Sequence, residues 1–227
     1  MNEYQALVQA RKSCRICCNT HPGKIQNGGD FPFDPPVVSY WSQWLGHQKP
    51  KILIVGQDFA DVGYFQRNQG CDDHDNRTND QLRKLLGVAG LQVAPPPSRD
   101  SDAPVYLTNS ILCLKTGQMA SPVSSSWVRT CADQHLAPLL AHLVPPIVVG
   151  MGSHGWRAVR QVLKLEAAPS TLKDAAGRSW KVAGGMDVFA VGHCSGLGLV
   201  NRRWETQIED WRRIGERLIL TRLSVDP

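Results

Sequence analysis

Residues 51–61 read KILIVGQDFAD. Four of the first five side chains are apolar, and the run stops at Gly56. A short apolar run bounded by glycine is the pattern of a strand buried on both faces. An amide and a carboxylate, Gln57 and Asp58, follow at once. The same design recurs along the chain. VYLTNSILCL at 105–114, PPIVVGMGS at 145–153 and SWKVAGGMDVFAVGH at 179–193 each read as strands, the last as a strand or hairpin. Between and after them, NDQLRKLLGVAGL, SSSWVRTCADQHLAPLLAHL, HGWRAVRQVLKL and NRRWETQIEDWRRIGERLIL space their apolar residues as helices do. Thr78 or Asn79 is the expected cap of the first of these. Strands alternating with helices predict an α/β fold, a three-layer α/β/α sandwich around a central four-stranded parallel sheet.

Length and composition agree with that architecture. A chain of 227 residues suits one domain, here 1–227, with 1–30 as a Cys-containing N-terminal segment packing on the core. The formal charge of +5 permits a nucleic-acid partner without requiring one. No apolar run is long enough to span a bilayer, and MNEYQALVQARKSC lacks the apolar core of a signal peptide. The expected setting is cytoplasmic, as a monomer and away from membranes. In that setting seven cysteines point to metal ligation, catalysis or buried thiols more than to disulfides. The polar stretch QRNQGCDDHDNRTND at 66–80 reads as a surface loop.

Parallel sheets place their functional groups just beyond the carboxyl ends of the strands. Asp58, Asn109 and His193 each stand at such an end, so the three are expected to converge on one rim. A carboxylate can orient water or stabilise a cationic transition state. An amide offers a donor and an acceptor to a base edge. An imidazole can donate to a leaving group. Together they suit cleavage of a glycosidic bond, where positive charge grows on the sugar and negative charge on the departing base. Each also has a plainer reading, as a turn residue, a strand end or a core histidine.

These segments, in this order, resemble the motifs of the uracil-DNA glycosylase superfamily. GQDFAD at 56–61 is similar to the family's Gly-Gln-Asp-Pro-Tyr-His motif, LTNSILC at 107–113 to the strand whose asparagine reads uracil, and GHCSGLGLVNR at 192–202 to its His-Pro-Ser-x-Leu motif. Cys14 and Cys17, then Cys113, then Cys131 resemble the four ligands of the iron–sulfur, family 4-like branch. The resemblance implies a structural 4Fe–4S cluster on Cys14, Cys17, Cys113 and Cys131, with zinc as the alternative for the same thiolates.

It also implies roles. Asp58 would position water and stabilise the oxocarbenium charge, and His193 would stabilise the leaving anion. Asn109 would accept from uracil N3–H and donate to O4. Gln57 and Phe59 would adjoin the base. Phe65 would stack on it, His74 being an alternative. Leu197 would fill the hole left by a flipped nucleotide, while Ser195, Arg202 and Lys115 would contact DNA. The activity implied is that of a monofunctional glycosylase releasing uracil from single- or double-stranded DNA. Three departures bear on substrate range. Phe59 replaces the motif's proline, Ala60 its tyrosine, and Cys194 the proline after the histidine. The smaller Ala60 would admit hypoxanthine, xanthine or 5-substituted uracils. A catalytically weak DNA-binding module of the same fold, and a base or nucleoside hydrolase of different range, stand as rival readings.

Overall fold

The computed structural model describes residues 2–32, 48–73, 75–95 and 104–223. The chain opens with α1 (Glu3–Ser13) and α2 (Ile16–Thr20), then β1 (Ile25–Asn27). Next come β2 (Ile52–Gly56), α3 (Val62–Arg67) and α4 (Arg77–Val88), then β3 (Val105–Asn109) and β4 (Cys113–Lys115). A helical stretch follows as α5 (Ser125–Cys131), a π-helical turn at Ala132–Leu136, and α6 (Ala137–Leu143). The chain closes with β5 (Ile147–Met151), α7 (Gly152–Val162), α8 (Leu172–Ala175), β6 (Ser179–Lys181), β7 (Asp187–Val191), α9 (Gly196–Asn201) and α10 (Trp204–Leu223).

The main sheet has five strands in the order β3-β2-β5-β7-β6. The four expected strands are parallel, and β6 adds a fifth, antiparallel to β7 at the edge. The period-2 geometry of a strand divides the core in two. Leu53, Val55, Tyr106, Val148, Val188 and Ala190 belong to one apolar cluster, with Val8, Val128, Leu140 and Trp156 from the helices. Ile52, Ile54, Leu107, Val149 and Val191 belong to the other, with Leu85 and Leu86 of α4 and Trp211 and Ile214 of α10. Both faces are covered, which is why the strands read as continuous apolar runs rather than alternating ones.

Strand β2 lies between β3 and β5, so the chain leaves it in one direction and later returns to its other side. The carboxyl-end crevice at such a reversal is the standard position for a ligand in a doubly wound sheet. The N-terminal segment sits elsewhere: Tyr4 hydrogen-bonds Tyr106 across 2.9 Å, and β1 pairs antiparallel with β4, setting Asn27 opposite Cys113. Two local expectations need correction. The first cap lies earlier than expected, at Asn76, whose side chain accepts from the N–H groups of Thr78 and Asn79. The polar stretch is not all loop, because α3, capped by Asp61, runs into it as far as Arg67 and α4 begins within it at Arg77.

Candidate active site

Asp58, Asn109 and His193 line one cavity of about 1190 Å³ at the carboxyl rim of the sheet. That volume exceeds what a single base fills and leaves room for flanking groups. Gly56 adjoins Asn109 in the parallel register. A Cβ at Gly56 would stand 2.7 Å from Asn109 Oδ1, so a side chain there would displace the amide. Among the described residues the amide of Asn109 has no hydrogen-bond partner.

The carboxylate of Asp58 is tied down on one side. Its Oδ2 accepts from Gln57 Nε2 at 3.1 Å and faces Lys115 Nζ at 3.0 Å. The Gln57 amide oxygen in turn meets His154 Nδ1 at 2.7 Å. His154 follows β5 and lines the same cavity. Its pKa is pushed down by burial first and by Arg157 next, with Asp58 pulling the other way.

His193 is fixed from its Nδ1 side. The backbone N–H of Ser195 donates to Nδ1 at 3.1 Å, and the Ser195 hydroxyl lies 2.9 Å away. A backbone N–H can only donate, so Nδ1 is an acceptor and the ring proton sits on Nε2. Burial lowers the His193 pKa, Asp58 partly opposes this, and His154 adds to it. Burial thus favours the neutral imidazole, whose one N–H is on Nε2. Gly198 permits the close turn, since a Cβ there would meet His193 O at 1.9 Å.

A second polar group lines the cavity. Tyr64 Oη donates to Asp72 Oδ1 at 3.1 Å, and Asn79 donates to Oδ2 at 2.6 Å. Burial raises the Asp72 pKa to about 6 against these donors. The strand tip MGSH carries the signal for His154. Nothing in the hydrophilic stretch marks Asp72, or in the residues just before it Tyr64, as a cavity residue.

Several expected residues lie elsewhere than expected. Phe65 is 0% exposed, packed against Phe31 and Phe59 in the core, and does not line the cavity. Among the described residues, Phe59 and Tyr64 are the aromatic residues that do. His74 lies outside the described residues. Lys115 is 2% exposed and points inward, not at DNA. Arg202 is held by two bonds to the carboxylate of Asp210, at 2.5 and 2.7 Å. The Ser195 hydroxyl is engaged by His193 and by Gly198 N–H. Leu197, by contrast, stands 76% exposed at the cavity mouth.

On the N-terminal side the cysteines gather. Burial, then Cys14, then Cys18 raise Cys17 to about 11. Cys131 rises to about 12, through burial first, with Cys17 and Cys14 adding. Cys113 rises through its hydrogen bond with Cys18, burial, and the neighbouring Cys131 and Cys14. The Leu112 N–H donates to Cys131 Sγ at 3.3 Å. Among the described residues, no three His, Cys, Asp or Glu side chains form a group that could hold a metal ion.

The model of the uracil DNA glycosylase superfamily matches residues 44–214. The chain belongs to that superfamily. No curated protein matches the chain. Superfamily membership agrees with a mostly parallel sheet flanked by helices and with a rim cavity holding a carboxylate, an amide and an imidazole. It makes a glycosylase acting on DNA the class of activity to consider. No described helix is long and apolar enough to cross a membrane.

Proposed function

We propose that this superfamily member is a monofunctional DNA glycosylase that hydrolyses the N-glycosidic bond of uracil, and of related deaminated bases, to leave an abasic site. The observation that carries the reading is the convergence of Asp58, Asn109 and His193 on one cavity. An extruded base lies between them. Asn109, with no partner of its own among the described residues, accepts from uracil N3–H and donates to O4. Cytosine presents the opposite pattern, and a mispaired buried amide costs about 1–3 kcal/mol.

His193 donates its Nε2–H to the base oxygen as negative charge builds there. A neutral donor in a water-poor site stabilises that charge without itself losing a proton. Asp58 keeps Oδ1 for the attacking water and faces the sugar as it becomes cationic. Leu197, exposed at the mouth, fills the gap in the stack. No lysine sits in the three motif segments to form a Schiff base, which favours simple hydrolysis. Phe59 and Tyr64, rather than Phe65, are the rings available to the base.

We place the chain in the iron–sulfur branch, with Cys14, Cys17, Cys113 and Cys131 as ligands of a structural 4Fe–4S cluster. What supports it is the donor type, all sulfur, largely buried and given a backbone N–H at Cys131, although the side chains as placed form no metal-holding group among the described residues. Such a cluster would tie the N-terminal segment to β4 and α5 and takes no part in hydrolysis.

The test is a panel of oligonucleotides carrying uracil, hypoxanthine, xanthine or mispaired thymine, single- and double-stranded, assayed for abasic sites. Release of uracil supports the reading. Tight binding without release of any base would favour a binding module instead.

A further inference from the structure

Lys115 ends β4, and its ammonium has three neighbours. Nζ donates to Met119 O at 2.5 Å, approaches Ser121 O at 3.3 Å, and pairs with Asp58 Oδ2 at 3.0 Å. An ammonium has three N–H groups and no acceptor, so these contacts saturate it. It is therefore no nucleophile, and it does not line the cavity. Asp58 is itself only 9% exposed. A lone carboxylate that far from water is costly, and an adjacent cation compensates it. Gln57 Nε2 shares Oδ2 with the ammonium. Among the described residues Oδ1 receives no donor.

The surrounding backbone makes the arrangement rigid. Asp61 pairs with Lys115 in an isolated parallel bridge, tying the segment after Asp58 to β4. Met119 and Ser121, whose carbonyls the ammonium holds, both line the cavity.

The geometry points to Lys115 as a positioning residue for the reaction. It fixes Asp58 by one oxygen, leaves the other to the water, and draws the 119–121 wall against the same carboxylate. This deepens the glycosylase reading and rests on it. It also gives a lysine that the sequence offers to DNA a different task, and the two tasks predict different kinetics.

The experiment compares wild type, Lys115→Met, Lys115→Arg, Asp58→Asn and the double variant Lys115→Met/Asp58→Asn. Single-turnover base release and DNA affinity at several salt concentrations are measured on the oligonucleotide that wild type processes best. Lys115→Met is expected to slow release roughly 10²-fold, with DNA affinity and its salt slope unchanged and partial recovery in Lys115→Arg. The double variant is expected to be no slower than Asp58→Asn alone, because Lys115 acts only through Asp58. It carries no lone buried charge, so this comparison stands even if Lys115→Met folds poorly.

Losses that multiply in the double variant would overturn the assignment. So would weaker DNA binding with a shallower salt slope, the mark of a phosphate contact. Wild type active with either of those results refutes the role of Lys115 alone. Wild type inactive on every base refutes the glycosylase reading as well.

Discussion

The backbone N–H of Ser195 donates to Nδ1 of His193 across 3.1 Å, which fixes the ring proton on Nε2. Nitrogen-15 spectra of histidine-labelled protein at pH 7 should show Nδ1 bare and Nε2 protonated for this residue. Doubly protonated signals would contradict the assignment. The sign of the pH effect follows from burial. The folded pKa values of His193 and His154 lie below the ordinary value, and that of His135 is lowered to about 4. The unfolded chain binds these protons first, near pH 6.5. Their contribution to stability is therefore complete above that pH and is lost as pH falls towards 4. Thermal melts between pH 7 and pH 4 should show a falling Tm, less steeply in His135→Gln.

Gly56 keeps Asn109 in place by having no side chain. Gly56→Ala should weaken substrate use by displacing the amide, raising KM for uracil-containing DNA more than it changes the Tm. Removing the amide in Asn109→Ala should cost about 1–3 kcal/mol of transition-state stabilisation, read from kcat/KM. An unchanged kcat/KM in both variants would exclude Asn109 from base recognition.

Arg202 is bound to an Asp210 carboxylate that is 2% exposed. Arg202→Ala leaves that charge alone in the interior and should lower stability by about 3 kcal/mol or more in denaturant unfolding. A stable variant with only a reduced salt slope of DNA binding would instead return Arg202 to the phosphate backbone.

The gathered cysteines make a colour prediction. Protein purified without oxygen should be brown and carry iron and sulfide. Cys131→Ser and Cys113→Ser should each lose colour and melt at lower temperature. Stoichiometric zinc in a colourless protein would contradict the cluster.

Much of this architecture is legible in the chain because the parallel strands are buried on both sides and so appear as unbroken apolar runs. Their tips then announce themselves, and Asp58, Asn109 and His193 do share a cavity. Strand β1 escapes notice because three residues carry no usable period, β4 is hidden at the end of the apolar run that begins with β3, and β6 is the first arm of the hairpin that 179–193 suggests. Helix α3 is hidden by polar neighbours, and its turn sends Phe65 inward while Tyr64 and Phe59 face the cavity. Lys115 reads as a surface cation because its partner, Asp58, is remote in sequence. Arg202 misleads in the same way, since Asp210 reaches it only once α10 has formed.

The most direct measurement is single-turnover uracil release from an oligonucleotide by wild type, Asp58→Asn and His193→Ala. The two cavity groups at the tips of β2 and β7 should each be worth roughly 10²–10⁴-fold in rate, with DNA binding retained. Uracil release at the wild-type rate by both variants would contradict the account.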